Sequence, residues 1–254
     1  MTTFDEKCIA LMTASPKGHA RSCFRSAINH LTLASAIADQ DPAMAIFRAI
    51  TAEEEAASGL MLCLKHLGYA NAEKLKHHDH AHKSAIIPFL QILGTFFSET
   101  FVSSGLKPAF HIKEESGISR LTIAIPMKIN GEFLNAYPIP PLNFGVTTDN
   151  KNLSYIKQIE AFVAMAGATS ILSYIKEQAN RRNQILYASP AGYPDVKSVD
   201  PKFLEVREAR VIVLIRAYLF IYPYPEIQPY VQAALDAFLS MLGKLPINDL
   251  HDAV

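Results

Sequence analysis

A single change of period constrains this chain most. Apolar residues recur at helical spacing through the first hundred residues and again over the last hundred. From about Gly105 to Gly145 prolines and glycines multiply and the period falls to two. The pattern predicts a mostly α chain, a helical bundle with a small β-hairpin inserted at about 118–138. It reads as one domain over 1–254: a first helical half at 1–105, the hairpin insertion at 106–148, and a second helical half at 149–254.

The helical halves divide at their breakers. One amphipathic helix is expected from about His19 to Ala38, with Phe24, Ala27, Leu31 and Ala34 on one face. Pro42 restricts Asp41 and suits a first turn, so a second helix should run from Pro42 to His66 and end near Gly68. A third is expected from Asn71, capped by that side chain, through the histidine cluster to a kink at Pro88. In the middle, Leu121, Ile123 and Ile125 alternate with Thr122, Ala124 and Pro126. Asn130-Gly131 between apolar runs signals a hairpin, because both residues tolerate positive φ. Pro138, Pro140 and Pro141 end its second strand or hold it at an edge. One long helix should then start at Leu153 and reach Leu186, followed by a loop over Ser189–Pro194. Two more helices, Pro201 to Phe220 and Glu226 to Leu242, complete the chain.

Composition bounds the function. Of 254 residues half are apolar, and 24 basic side chains cancel 24 acidic ones. Zero net charge excludes a general basic coat for nucleic acid and still permits a local basic cleft. Three cysteines without a C-x-x-C pair make neither a disulfide framework nor a zinc site. No secretory signal is read at the N-terminus, where Asp5 and Glu6 precede any apolar run. Ser84–Ser98 is uncharged but short and holds Pro88 and Gly94, and Val211–Tyr222 is interrupted by Arg216. Both are expected as buried helices, which implies no membrane partner and a cytoplasmic location.

Three clusters carry possible chemistry. In Thr51–Gly59 the run Glu53-Glu54-Glu55 meets the apolar stripe of the second helix, so Glu53 or Glu54 sits in or beside that stripe. Either these acids rim the core, bonded to a helix terminus, or one is a buried acid orienting a basic partner. The candidate partners are in His77–Lys83. There His78 and His82 stand four apart, a geometry zinc or iron could use, although H-E-x-x-H and E-x-x-H are both absent. A Glu–His contact between helices is the competing account. The third cluster is Arg181–Tyr187: Ile175, Ala179, Arg182 and Leu186 share a face and aim Arg182 inward, as an ion-pair element or a phosphate clamp. Arg25 and His30 lie five apart on the first helix, about 140° around its axis. No nucleophile elbow, P-loop or dinucleotide fingerprint is present.

The order of these features resembles the AbiV-type abortive-infection proteins, within the HEPN group of helical domains. The resemblance is carried by Arg25–Leu33, by Ala45–Leu64 with its Glu-Glu-Glu, by His80-Ala81-His82-Lys83, and by Arg182–Tyr187 before a proline-containing loop. It covers mainly residues 20–95 and 170–222. It implies binding or metal-independent cleavage of RNA in phage defence, no cofactor, and an Arg-x4-6-His pair at a homodimer cleft. Arg182 would hold phosphate, with Tyr187 where the family has its histidine, and Arg25-x4-His30 has the family spacing. Glu54 and His82 complete the expected cleft. The alternative from another class is a non-catalytic module binding a protein partner through the hairpin and a helical groove.

Overall fold

The computed structural model describes residues 1–105, 107–115, 117–148, 151–153, 155–188 and 192–246. Eight α-helices dominate the described residues, with a small antiparallel sheet, as the period predicts. Contacts divide the chain into two compact units, each drawn from three stretches. Unit 1 takes 1–63, 76–85 and 172–218; unit 2 takes 64–75, 86–171 and 219–254.

In unit 1, α1 (Thr3–Ala14) is a helix that the sequence reading missed. It forms because Thr2 and Asp5 close a capping box, each side chain bonding the other's backbone N–H. Next come α2 (His19–Ile37) and α3 (Pro42–His66), close to their expected bounds. Asp41 caps α3 by accepting the Met44 N–H at 3.0 Å, and Pro42 occupies the position where no N–H is required. The core of unit 1 gathers Met12, Phe24, Ala27, Met61, Leu214 and Tyr218, with the Phe24 and Tyr218 rings 4.8 Å apart. Gly59 lets α3 approach α2: a Cβ there would lie 2.8 Å from the Phe24 ring and 3.0 Å from the Ala20 carbonyl oxygen.

The expected third helix does not begin at Asn71. Asn71 is left-handed (φ 64°) and makes no capping bond, and only a 3₁₀ turn follows over Ala72–Lys74. The helix α4 (His80–Ser104) begins at Asp79 instead, which accepts the Ala81 N–H at 2.8 Å. α4 continues through Pro88. Over His80–Phe101 it has the length and apolar composition to cross a membrane, and 39% of its most apolar window is buried.

Unit 2 holds the sheet. β1 (Ala109–Glu115), β2 (Ile118–Ile129) and β3 (Glu132–Ala136) form an antiparallel meander in the order β1-β2-β3. Register runs from Ala109↔Ala124 to Glu115↔Ile118, then from Ile125↔Ala136 to Ile129↔Glu132. The hairpin at Asn130-Gly131 is where the sequence puts it, with φ of 52° and 88°. β1 was missed, because its charged and exposed residues obscure any alternation. Strict alternation also fails in β2: Leu121, Thr122 and Ala124 are buried together, so both faces of this central strand are covered there. A short pair, β4 (Thr147–Thr148) with β5 (Lys151–Asn152), follows.

The long helix expected from Leu153 to Leu186 is two helices, α5 (Ile156–Met165) and α6 (Ile171–Leu186). Gly167 at φ +63° ends the first. Residues 189–191 of the expected loop lie outside the described residues. α7 (Pro201–Ile221) and α8 (Pro229–Met241) fall near their expected positions. Phe89, Phe96, Tyr155 and Phe238 form part of the aromatic core of unit 2. Gln228 is fully buried there and satisfied, bonding the Phe220 carbonyl, the Leu142 N–H and the Tyr69 hydroxyl.

Candidate functional site

The site belongs to unit 1 and grows from α3. Ala45, Ala49, Ala52, Ala56 and Ala57 are all fully buried, so neighbouring helices approach α3 over short side chains. Glu53 and Glu54 are the long polar groups in that narrow space, and both are buried. Of the two sequence alternatives, the buried acid with basic partners is the one observed.

Glu54 is met by basic side chains from two other helices. Its Oε1 lies 2.9 Å from His80 Nδ1, and its Oε2 lies 3.4 Å from Lys83 Nζ and 3.3 Å from an Arg182 NH1. His80 and Lys83 stand in the first turn of α4, three residues apart and so on one face. Arg182 comes from α6, with its guanidinium 5.4 Å above the Phe47 ring. Its other terminal nitrogen lies 3.2 Å from His80 Nε2. A guanidinium only donates, so Nε2 accepts and the His80 proton sits on Nδ1, donated to Glu54. The result is a directed chain, Arg182 to His80 to Glu54. The His80 side chain is 40% exposed, while Glu54 is 6% and Lys83 10% exposed.

Glu53 has its own partners on α7. Arg207 bonds its Oε2 from a buried position over the Phe203 ring, and Arg210 NH1 reaches the same oxygen at 3.3 Å. Glu55, the third acid, is half-buried and its field reaches Cys23 and His30 on α2. Burial pushes the Cys23 thiol up to about 11, which makes it a poor nucleophile.

The other expected site residues are placed elsewhere. His82 is buried, and its Nδ1 accepts the Lys76 N–H at 3.2 Å, which closes the turn before α4. His78 lies in that turn, outside the helix, so His78 and His82 are not a helical i, i+4 pair. Among the described residues no group of three or more His, Cys, Asp or Glu is placed to hold a metal ion. Tyr187 is 66% exposed just past the end of α6, and Arg25 is exposed on α2. His30 faces Arg48 at 3.4 Å rather than Arg25; burial and that cation hold its pKa below the usual histidine value.

The sequence reading passed over His80 and the α7 arginines. Starting the helix at Asn71 put His78 and His82 on its apolar stripe and hid the His80–Lys83 face. Arg207 and Arg210, three apart on α7, were read only as flanking the apolar run Val211–Tyr222.

Against protein-family models, curated proteins and solved structures, the chain has no match. Chemically, the arrangement offers a histidine whose tautomer is fixed by a buried carboxylate and a guanidinium suited to phosphate oxygens.

Proposed function

We propose that unit 1 is a metal-independent endoribonuclease centre of the HEPN type, with His80 as the proton-transfer group. The observation that carries this reading is the chain from Arg182 through His80 to Glu54. A carboxylate on Nδ1 leaves Nε2 as the basic nitrogen and stabilises the imidazolium formed when that nitrogen takes a proton. At rest the guanidinium covers Nε2. A phosphodiester competes for the guanidinium with two oxygens in bidentate geometry, which releases the Nε2 lone pair toward the ribose 2′-OH. His80 then takes the 2′-OH proton, O2′ attacks phosphorus, and the 5′-oxygen leaves with a proton from solvent. The products are a 2′,3′-cyclic phosphate and a 5′-hydroxyl. Glu54 is already engaged by the His80 Nδ1–H and by two cations, Lys83 and Arg182.

All three groups come from one chain, so a second copy is not needed to assemble them. The role in phage defence is supported by the resemblance to the AbiV-type proteins.

The test is purified protein with total RNA or tRNA in EDTA, beside His80→Ala, Arg182→Ala and His30→Ala. Wild type should leave cyclic-phosphate ends, His80→Ala should lose at least about a hundredfold in rate, and His30→Ala should keep it. RNA left intact by wild type removes the reading.

One observation favours a second reading, a protein-binding module: Phe110, Ile118 and Leu134 on the sheet are about half exposed. Loss of a co-purifying protein on Leu134→Lys, with RNA untouched by wild type, would favour it.

A further inference from the structure

The two buried glutamates of α3 are mounted alike. Each has one nearly buried cation, Lys83 on Glu54 and Arg207 on Glu53, exposed by only 10% and 7%. Each also holds one outer arginine, Arg182 or Arg210, and both outer side chains are 24% exposed. The inner cation neutralises the carboxylate, so the charge of the outer arginine is in surplus. Four fixed cations thus face two carboxylates around a single turn of α3. Partly desolvated charge of one sign is costly to maintain and attracts a counter-ion. Arg210 also carries an unmet demand, since its Nε is buried without a hydrogen-bond partner among the described residues.

Spacing separates one anion from two. Adjacent side chains on a helix diverge by about 100° and end roughly 8–9 Å apart, so the outer arginines are anchored at two distinct points. A lone phosphate closing on both would pull one of them from its glutamate. A phosphodiester strand offers each arginine its own phosphate.

We propose that Arg210 is a second phosphate contact and that the ligand of this site is a single-stranded polynucleotide carrying at least two successive backbone phosphates, one on Arg182 and its neighbour on Arg210. This rests on the RNA reading of the Glu54–His80–Arg182 site and adds the substrate's minimum length. Arg210 is a binding residue remote from the reacting phosphate.

The experiment measures binding of uncleavable 2′-O-methyl oligoribonucleotides of two, three and four nucleotides by fluorescence anisotropy. Affinity should rise about tenfold between one phosphate and two. A neutral methylphosphonate at either linkage of the trinucleotide should remove that gain. Arg210→Ala should abolish the gain and lower the slope of log affinity against log salt by about 0.7, whereas Arg210→Lys keeps the slope. No gain in wild type, or a gain that survives Arg210→Ala, overturns the proposal. If Arg210→Ala fails to fold, the methylphosphonate series on wild type decides. Binding with the gain but intact RNA in the cleavage assay would sink the ribonuclease reading alone; cleavage without the gain would sink only the two-phosphate site.

Discussion

Replacing Glu54 by alanine tests the electrostatic design of unit 1 most directly. The variant leaves Lys83, Arg182 and His80 without their common acceptor. Lys83 matters most: its side chain is 10% exposed and its ammonium is 3.4 Å from the lost carboxylate, so water cannot readily replace it. Removing one partner of a buried pair costs about 3–5 kcal/mol. Arg182 and His80 are 24% and 40% exposed and can rehydrate, so they add little, and the expected total is about 3 kcal/mol. For a chain of this size that lowers the melting temperature by about 6–12 °C at neutral pH. Scanning calorimetry of Glu54→Ala, Lys83→Met, the double variant and Glu55→Ala completes the cycle. The double variant should recover much of the loss, with a coupling on the order of 2 kcal/mol, because the orphaned charge is gone. Half-buried Glu55 should cost no more than about 0.5 kcal/mol. A Glu54→Ala melting point equal to that of Glu55→Ala, or a double variant no better than the single, would refute the reasoning.

Other outcomes follow from the same geometry. Gly59→Ala should destabilise by about 1–3 kcal/mol, since the added methyl meets the Phe24 ring and the Ala20 carbonyl, and backbone cannot yield; an unchanged melting point contradicts the close approach of α2 and α3. Asp5 supplies a pH dependence. Burial raises its pKa, but bonds from the Thr2 N–H, the Thr2 hydroxyl and Arg216 outweigh this and hold it below 3.8. A lowered folded pKa gives stability that is present above the unfolded value and is lost as pH falls through the folded one. Asp5→Asn should therefore flatten the fall in melting temperature below about pH 4; an unaltered acid slope assigns it to other groups. Tyr187→Phe should leave RNA cleavage unchanged, and a loss of tenfold or more would return that exposed tyrosine to the site.

Much of the secondary structure was legible in the residues. Local rules fixed α2, α3, α7 and the Asn130-Gly131 turn, because caps, prolines and positive-φ residues act within a few positions of themselves. The same rules misplaced the start of α4, which they put at Asn71 rather than after Asp79, and they carried α5 into α6 across Gly167. Periodicity placed Glu53 or Glu54 beside an apolar stripe and showed that such an acid requires either a rim position or a basic partner. It could not choose between these, and it named His82 where the structure brings His80 to Glu54.

Pairing is what only the tertiary structure decided. Glu54 meets residues 26 and 128 positions away, and Glu53 meets Arg207 at a separation of 154. No local preference encodes such distances; they arise when the alanine-rich face of α3 lets α4, α6 and α7 close on it. By itself the sequence determined a neutral, mostly helical chain with buried acids to satisfy. Folding determined which cations satisfy them and which two arginines are left with charge to offer.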